Sequence, residues 1–118
     1  MARSNKPMVW LPFAAGGTVA AFLLPAVMLA VLLVTLGVLP ADALSHDRIQ
    51  AFVDHPVGKL AILVVLALPL WHAAHRLRMT LQDLGVRRPG TRRLVARLCY
   101  GLATVITVAL LYGLLPTA

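Results

Sequence analysis

The chain contains no glutamate, only four acidic residues against eleven Lys and Arg, and long stretches with no charge of either sign. No charged residue lies between Lys6 and Asp42, between Lys59 and Arg76, or after Arg97. Charged residues make up 13% of the chain and hydrophobic ones 60%, with a mean hydropathy of +0.86. That leaves too little polar surface to clothe a soluble domain of this size. The single cysteine, Cys99, excludes an internal disulfide and any thiolate-only metal site; within the third apolar run it reads as a small packing residue. There is no Gly-rich phosphate loop, no Ser or Cys paired with a base, and no carboxylate pair within an apolar run. Hydrolysis, phosphoryl transfer and nucleophilic catalysis therefore have no in-chain machinery. Aromatics are scarce at 6%, and the net charge of +7 sits beside apolar runs. It reads as a topology signal and excludes a nucleic-acid partner. With no internal repeat, low-complexity segment or linker, residues 1–118 form one domain.

What is present is three apolar runs. A helix needs about 20 apolar residues to cross a hydrocarbon core ~30 Å thick, and the first and third runs exceed that. The second has 16 residues between charges, 60 to 75. It spans if Lys59 and Arg76 snorkel, their methylene stems lying along the helix while the charges reach the headgroups. The spans are predicted at approximately 11–39, 57–77 and 94–115. The first is longer than a signal-peptide h-region, contains Pro25 and is followed by further spans, so it is retained as a span. Pro12 suits the first turn of helix one, Pro40 its end, and Pro56 the first turn of helix two. Helix three is predicted from near Thr91 to about Leu115. Pro25 and Pro69 each remove a backbone bond inside a span and favour a kink. Leu44, Ile49, Phe52 and Val53 among polar neighbours predict a short interfacial helix, capped by Asp42 or Ser45. The fold class is an all-α membrane protein, with three transmembrane helices and a short interfacial helix between helices one and two.

Counting cations sets the orientation. Arg3 and Lys6 precede helix one, and Arg76, Arg78, Arg87, Arg88, Arg92, Arg93 and Arg97 lie in the connection from Arg76 to Arg97. These regions hold nine of the eleven basic residues and are predicted to be cytoplasmic. The connection from Pro40 to Lys59 carries Arg48 and Lys59 against Asp42, Asp47 and Asp54, and falls outside. The N-terminus is then inside and the C-terminus outside. Two readings stand for the stretch from Arg87 to Arg97: docking of a partner or of anionic headgroups, and a topology signal alone. Two also stand for the small residues Ala14, Ala15, Gly16, Gly17, Ala20 and Ala21 of helix one and Ala109 and Gly113 of helix three. They suit close packing within the chain and contact with a second subunit alike.

The residues that can carry chemistry cluster at the end of helix two, in LPLWHAAHRLR. Spacings of three and four put His72, His75 and Arg76 within an arc of roughly 100°, and ionisable groups at membrane depth point to function. Trp10 opens helix one on the side where helix two ends, so it shares their membrane level. An indole N–H, an imidazole and a guanidinium beside apolar helices can hydrogen-bond quinone carbonyls, and neutral His can relay protons. Against this, Trp10 also reads as an aromatic-belt residue and Arg76 as a topology anchor, and His72 as a ring satisfied inside the bundle.

The run KPMVWLPFAAGG entering helix one, PADALSHDRI after it, AFVDHPVGKL entering helix two and LPLWHAAHRLR ending it resemble, in this order, the D subunit of fumarate reductase. The resemblance implies the smaller of two hydrophobic anchors in a four-subunit complex of the bacterial cytoplasmic (inner) membrane. The other subunits are a flavoprotein with covalent FAD, an iron–sulfur subunit and a second anchor, and such complexes pass electrons from menaquinol to fumarate. It implies a shared menaquinone site, FAD and iron–sulfur clusters only in the partners, no haem in this chain and no catalysis by this chain itself. Trp10 matches the family's tryptophan at the inner quinone site, and His75 and Arg76 match its His-Arg pair. Phe52, Asp54 and His55 occupy positions tied in the family to an outer quinone site, with Asp54 and His55 standing where it carries polar uncharged residues. His72 stands where one known member of the family has no histidine, and its role is left open. The alternative is a haem-binding anchor of the succinate dehydrogenase type, with His72 or His75 as one axial ligand. A free-standing small transporter has too few spans to enclose a path.

Overall fold

A computed structural model describes residues 6–115. It is all-helical: α1 (Lys6–Thr35), α2 (His46–Asp54), α3 (Pro56–Asp83) and α4 (Pro89–Leu114). Three of these are long and apolar enough to cross a membrane, and α2 is the short helix between the first two. The predicted fold class is the one observed.

The helix ends are set by turn chemistry more than by hydropathy. Pro40 does not end α1. Gly37, in the left-handed region at φ 73°, stops it, with Val38 N–H donating to Leu33 O (2.9 Å) and Gly37 N–H to Val34 O (3.1 Å). This Schellman pattern satisfies carbonyls the helix end would strand, and glycine adopts the required φ without steric strain. The same device ends α3 at Gly85 (φ 117°), through Val86 N–H to Leu81 O and Gly85 N–H to Gln82 O. Consequently α3 runs past Arg76 to Asp83, because guanidinium side chains change where the helix meets water without breaking it.

The starts differ in a similar way. Pro7, and not Pro12, lies in the first turn of α1, and Pro12 and Pro25 both lie inside a continuous helix. Pro56 opens α3 as predicted, and Pro89, two residues before Thr91, opens α4. Ser45 occupies the N-cap position of α2 without a side-chain cap bond. Asp42 instead takes Arg48 in an exposed ion pair of 2.7 Å.

The hub is α3, with α1 and α4 packed along it and α2 folded against its start. Among the described residues only Gly16, Gly58, Ala74 and Ala103 are buried, and all four are Gly or Ala. Helix backbones approach closely where side chains are small, and many of the large apolar side chains point away from the three-helix contact. Phe22, Met28 and Leu102 are among those left exposed. The contact is tightest at Gly16, where a Cβ would collide with the backbone carbonyl of Leu68, and at Gly58, where one would meet the carbonyl of Phe52. Gly101 and Gly113 of α4 face open space. Of the two readings of the small residues, internal packing thus holds for Gly16, and Gly113 takes no part in it.

Candidate quinone-contact site

Trp71, His75 and Arg78 recur at intervals of four and three along α3, which places them within an arc of roughly 60°. They line a cavity of about 510 Å³, whose remaining walls are Met8, Pro12 and Phe13 from α1 and Tyr100 from α4. Three helices therefore meet here through polar as well as apolar side chains.

The phenol of Tyr100 is the junction. Its oxygen lies 2.8 Å from His75 Nδ1 and accepts from Arg78 Nη1 at 3.1 Å. The Arg78 guanidinium carbon also stands 5.7 Å from the Tyr100 ring centroid, within cation–π range. Beside it, the Trp71 ring stacks on Tyr100 at 6.0 Å and donates its Nε1–H to Thr107 Oγ1 at 3.1 Å. The Thr107 hydroxyl in turn donates to Ala103 O. Tyr100, Ala103 and Thr107 fall at i, i+3 and i+7 on α4, so one stripe of that helix faces α3.

His72 turns to α1. Its Nδ1 lies 2.8 Å from Phe13 O; a carbonyl only accepts, so Nδ1 carries the proton. The ring stacks on Phe13 at 4.4 Å and lies over Gly17, where a Cβ would come within 2.7 Å of its Cε1. His72 is thus tied through Nδ1 to α1 inside the bundle. Phe13 also touches His75, tilted at 4.6 Å, and spans both histidines.

Of the residues singled out in the sequence, His75 lines the cavity, while Trp10 and Arg76 are exposed and do not. The helix explains why. Trp10 is roughly 200° around α1 from both Met8 and Pro12, and Arg76 is turned roughly 100° from His75. Sequence reasoning missed Trp71, Arg78 and Tyr100. The i−4 and i+3 spacing about His75 could have found the first two. No local spacing marks Tyr100 beyond its place on the stripe with Thr107.

Adjoining the cavity through Arg78, a depression of about 270 Å³ is lined by Arg78, Arg92 and Arg93 with Pro89 and Ala96. Arg92 donates to Gln82 Oε1, while Arg78 Nε and Gln82 Nε2 are enclosed without a partner. Among the described residues the one ion pair is Arg48 with Asp42, so these three guanidinia have no carboxylate beside them.

The other end of the bundle is built differently. Phe52 lines a cavity of about 310 Å³ with only apolar neighbours, Leu23, Ala61, Ile62, Val65 and Leu66. Asp54 accepts from Gln50, and His55 Nδ1 accepts from Val57 N–H, capping α3. No group of three His, Cys, Asp or Glu side chains able to hold a metal ion occurs among the described residues.

Comparison with known proteins agrees with this architecture. The family described as the D subunit of fumarate reductase matches residues 1–115. The chain is similar to the fumarate reductase D subunit of Vibrio cholerae serotype O1 (strain M66-2), 42% identical over 106 residues, covering 89% of this chain and 79% of that one. To that of Haemophilus ducreyi it is 38% identical over 114 residues, 96% of this chain and 92% of the relative. To that of Mycobacterium bovis it is 42% identical over 104 residues, 87% and 81%. A multi-pass helical membrane protein matched to this family along nearly its whole length, the chain belongs to the family of fumarate reductase D subunits.

Proposed function

We propose that this chain anchors the flavoprotein and iron–sulfur subunits of a fumarate reductase complex to the inner face of the bacterial cytoplasmic membrane, together with a second anchor. It also supplies part of the menaquinol site at the end of the bundle where α1 begins and α3 ends. The N-terminus is cytoplasmic and the C-terminus outside in this reading, which the distribution of Lys and Arg supports. The chain performs no chemistry itself; FAD and the iron–sulfur clusters reside in the partners, and no haem is held here.

One observation carries the reading: the ~510 Å³ cavity joins apolar and aromatic walls to His75, Arg78 and Tyr100. A naphthoquinone needs that combination, since its ring system is apolar and its two carbonyl oxygens are acceptors. The volume lies in the range of ordinary ligand sites. Trp10 and Arg76, on the outer faces of α1 and α3, are positioned to meet partner subunits, and in the assembled complex would close the site from that side. The guanidinia of Arg92 and Arg93, which share a depression with Arg78, support docking of the iron–sulfur subunit at this end.

The assembled complex tests this. His75→Ala should slow menaquinol-linked fumarate reduction about tenfold or more, as expected for one lost hydrogen bond to a bound ligand. Fumarate reduction from an artificial dye should be unchanged, because dyes feed the iron–sulfur and flavin centres directly. Equal loss with both donors, or no loss with either, would contradict the reading.

A further inference from the structure

The contact between Tyr100 and His75 has a direction that the surrounding donors determine. Arg78 is a permanent cation with donors only, so in its 3.1 Å bond the phenol oxygen accepts. The phenol has a single proton, and among the described residues no other acceptor reaches it. Were Nδ1–H to donate to the phenol, that proton would be left without a partner beside two donors. A guanidinium bonded to the oxygen also polarises the O–H and makes it the better donor. The 2.8 Å bond therefore runs from Tyr100 O–H to His75 Nδ1, and neutral imidazole with an accepting Nδ1 keeps its proton on Nε2. His75 Nε2 has no partner among the described residues and is not among the enclosed unpartnered atoms.

From this geometry we infer that Arg78 and Tyr100 are positioning residues, which hold His75 as the Nε2–H tautomer so that it offers an N–H donor to a quinone carbonyl oxygen. The inference rests on the quinone reading above. It assigns to α4 a part in ligand recognition through a residue that need not touch the ligand. The chain of donors runs one way, from guanidinium to phenol to imidazole to carbonyl. Each bond polarises the next.

The test uses assembled complexes and two probes, menaquinone with a short tail and the naphthalene carrying the same tail but no carbonyls. Tyr100→Phe keeps the ring stack and removes the hydroxyl. It should weaken menaquinone binding about tenfold and leave binding of the naphthalene unchanged. Arg78→Met should act in the same direction, and Arg78→Lys, which restores a cationic donor, should recover most of the loss. On a His75→Gln background Tyr100→Phe should have no further effect. Loss of both probes together would mean that Tyr100 only supports the walls, and retention of both would mean that its hydroxyl plays no part; either overturns the inference. The quinone reading fails separately, if His75→Gln itself leaves the preference for menaquinone over naphthalene intact.

Discussion

The two ends of the bundle use the same residue types for different work. Where α1 begins and α3 ends, His72, His75, Trp71, Arg78 and Tyr100 bond across helices, over sequence separations of 22 to 59 residues. Where α2 meets α3, His55 and Asp54 bond within four residues of themselves, and the space beside Phe52 is walled by hydrocarbon alone. A histidine at a helix start is consumed by its own backbone, whereas one in the last turns of a long helix can be shared with neighbours. Position in the helix, not residue type, separates a cap from a candidate ligand contact.

The largest effect that would break this contrast is at the tight contact of the first end. Gly16→Ala drives a Cβ into the Leu68 carbonyl and into His72, and overpacking of this kind costs about 1–3 kcal/mol. We expect a lower yield and a lower Tm of the assembled complex. Gly113→Ala, which meets open space, should leave the chain's own fold unchanged; equal damage from both would show that α1 and α3 do not pack as described.

Next in size is the functional asymmetry. His55→Ala removes the α3 cap, for which about 0.5–2 kcal/mol of stability is the usual scale. Its menaquinol kinetics should match those of the unaltered complex, in contrast to His75→Ala. A quinol defect in a fully assembled His55→Ala complex would restore function to the second end.

Smaller still, Trp71→Phe keeps a ring against Tyr100 but deletes the bond to Thr107. One net hydrogen bond contributes about 0.5–1.5 kcal/mol, and thermal unfolding of the detergent-solubilised complex should register a shift of that size. Thr107→Val should give a similar shift, and the double variant little more than either alone. The smallest effect is expected at Arg48→Ala, whose exposed pair with Asp42 contributes little in water. Stability should stay within measurement error.

Much of the fold was legible because the chain hides so little. Charge-free gaps locate helices in a membrane protein, where every backbone group must be satisfied within the span, and apolar Ile49, Phe52 and Val53 among polar neighbours marked α2, while Leu44 falls just before it. Helix ends were less legible. Arg76 lowers local hydropathy while α3 continues to the Gly85 turn, and Pro40 drew attention from Gly37, whose left-handed φ ends α1 first. His75 was legible by type and place. Tyr100 was not, since its meeting with His75 depends on how α4 is set along α3. That register is fixed by buried Ala74 and Ala103 and by the Trp71–Thr107 bond, and no period within one helix records it.

The most direct test is to ask which end a quinone touches. An azido-naphthoquinone photolabel applied to the assembled complex should mark α1 between Met8 and Phe13, α3 between Trp71 and Arg78, or α4 at Tyr100, and excess menaquinone should abolish the labelling. Protectable labelling confined to Leu23, Phe52 and Ile62 at the opposite end would contradict the account.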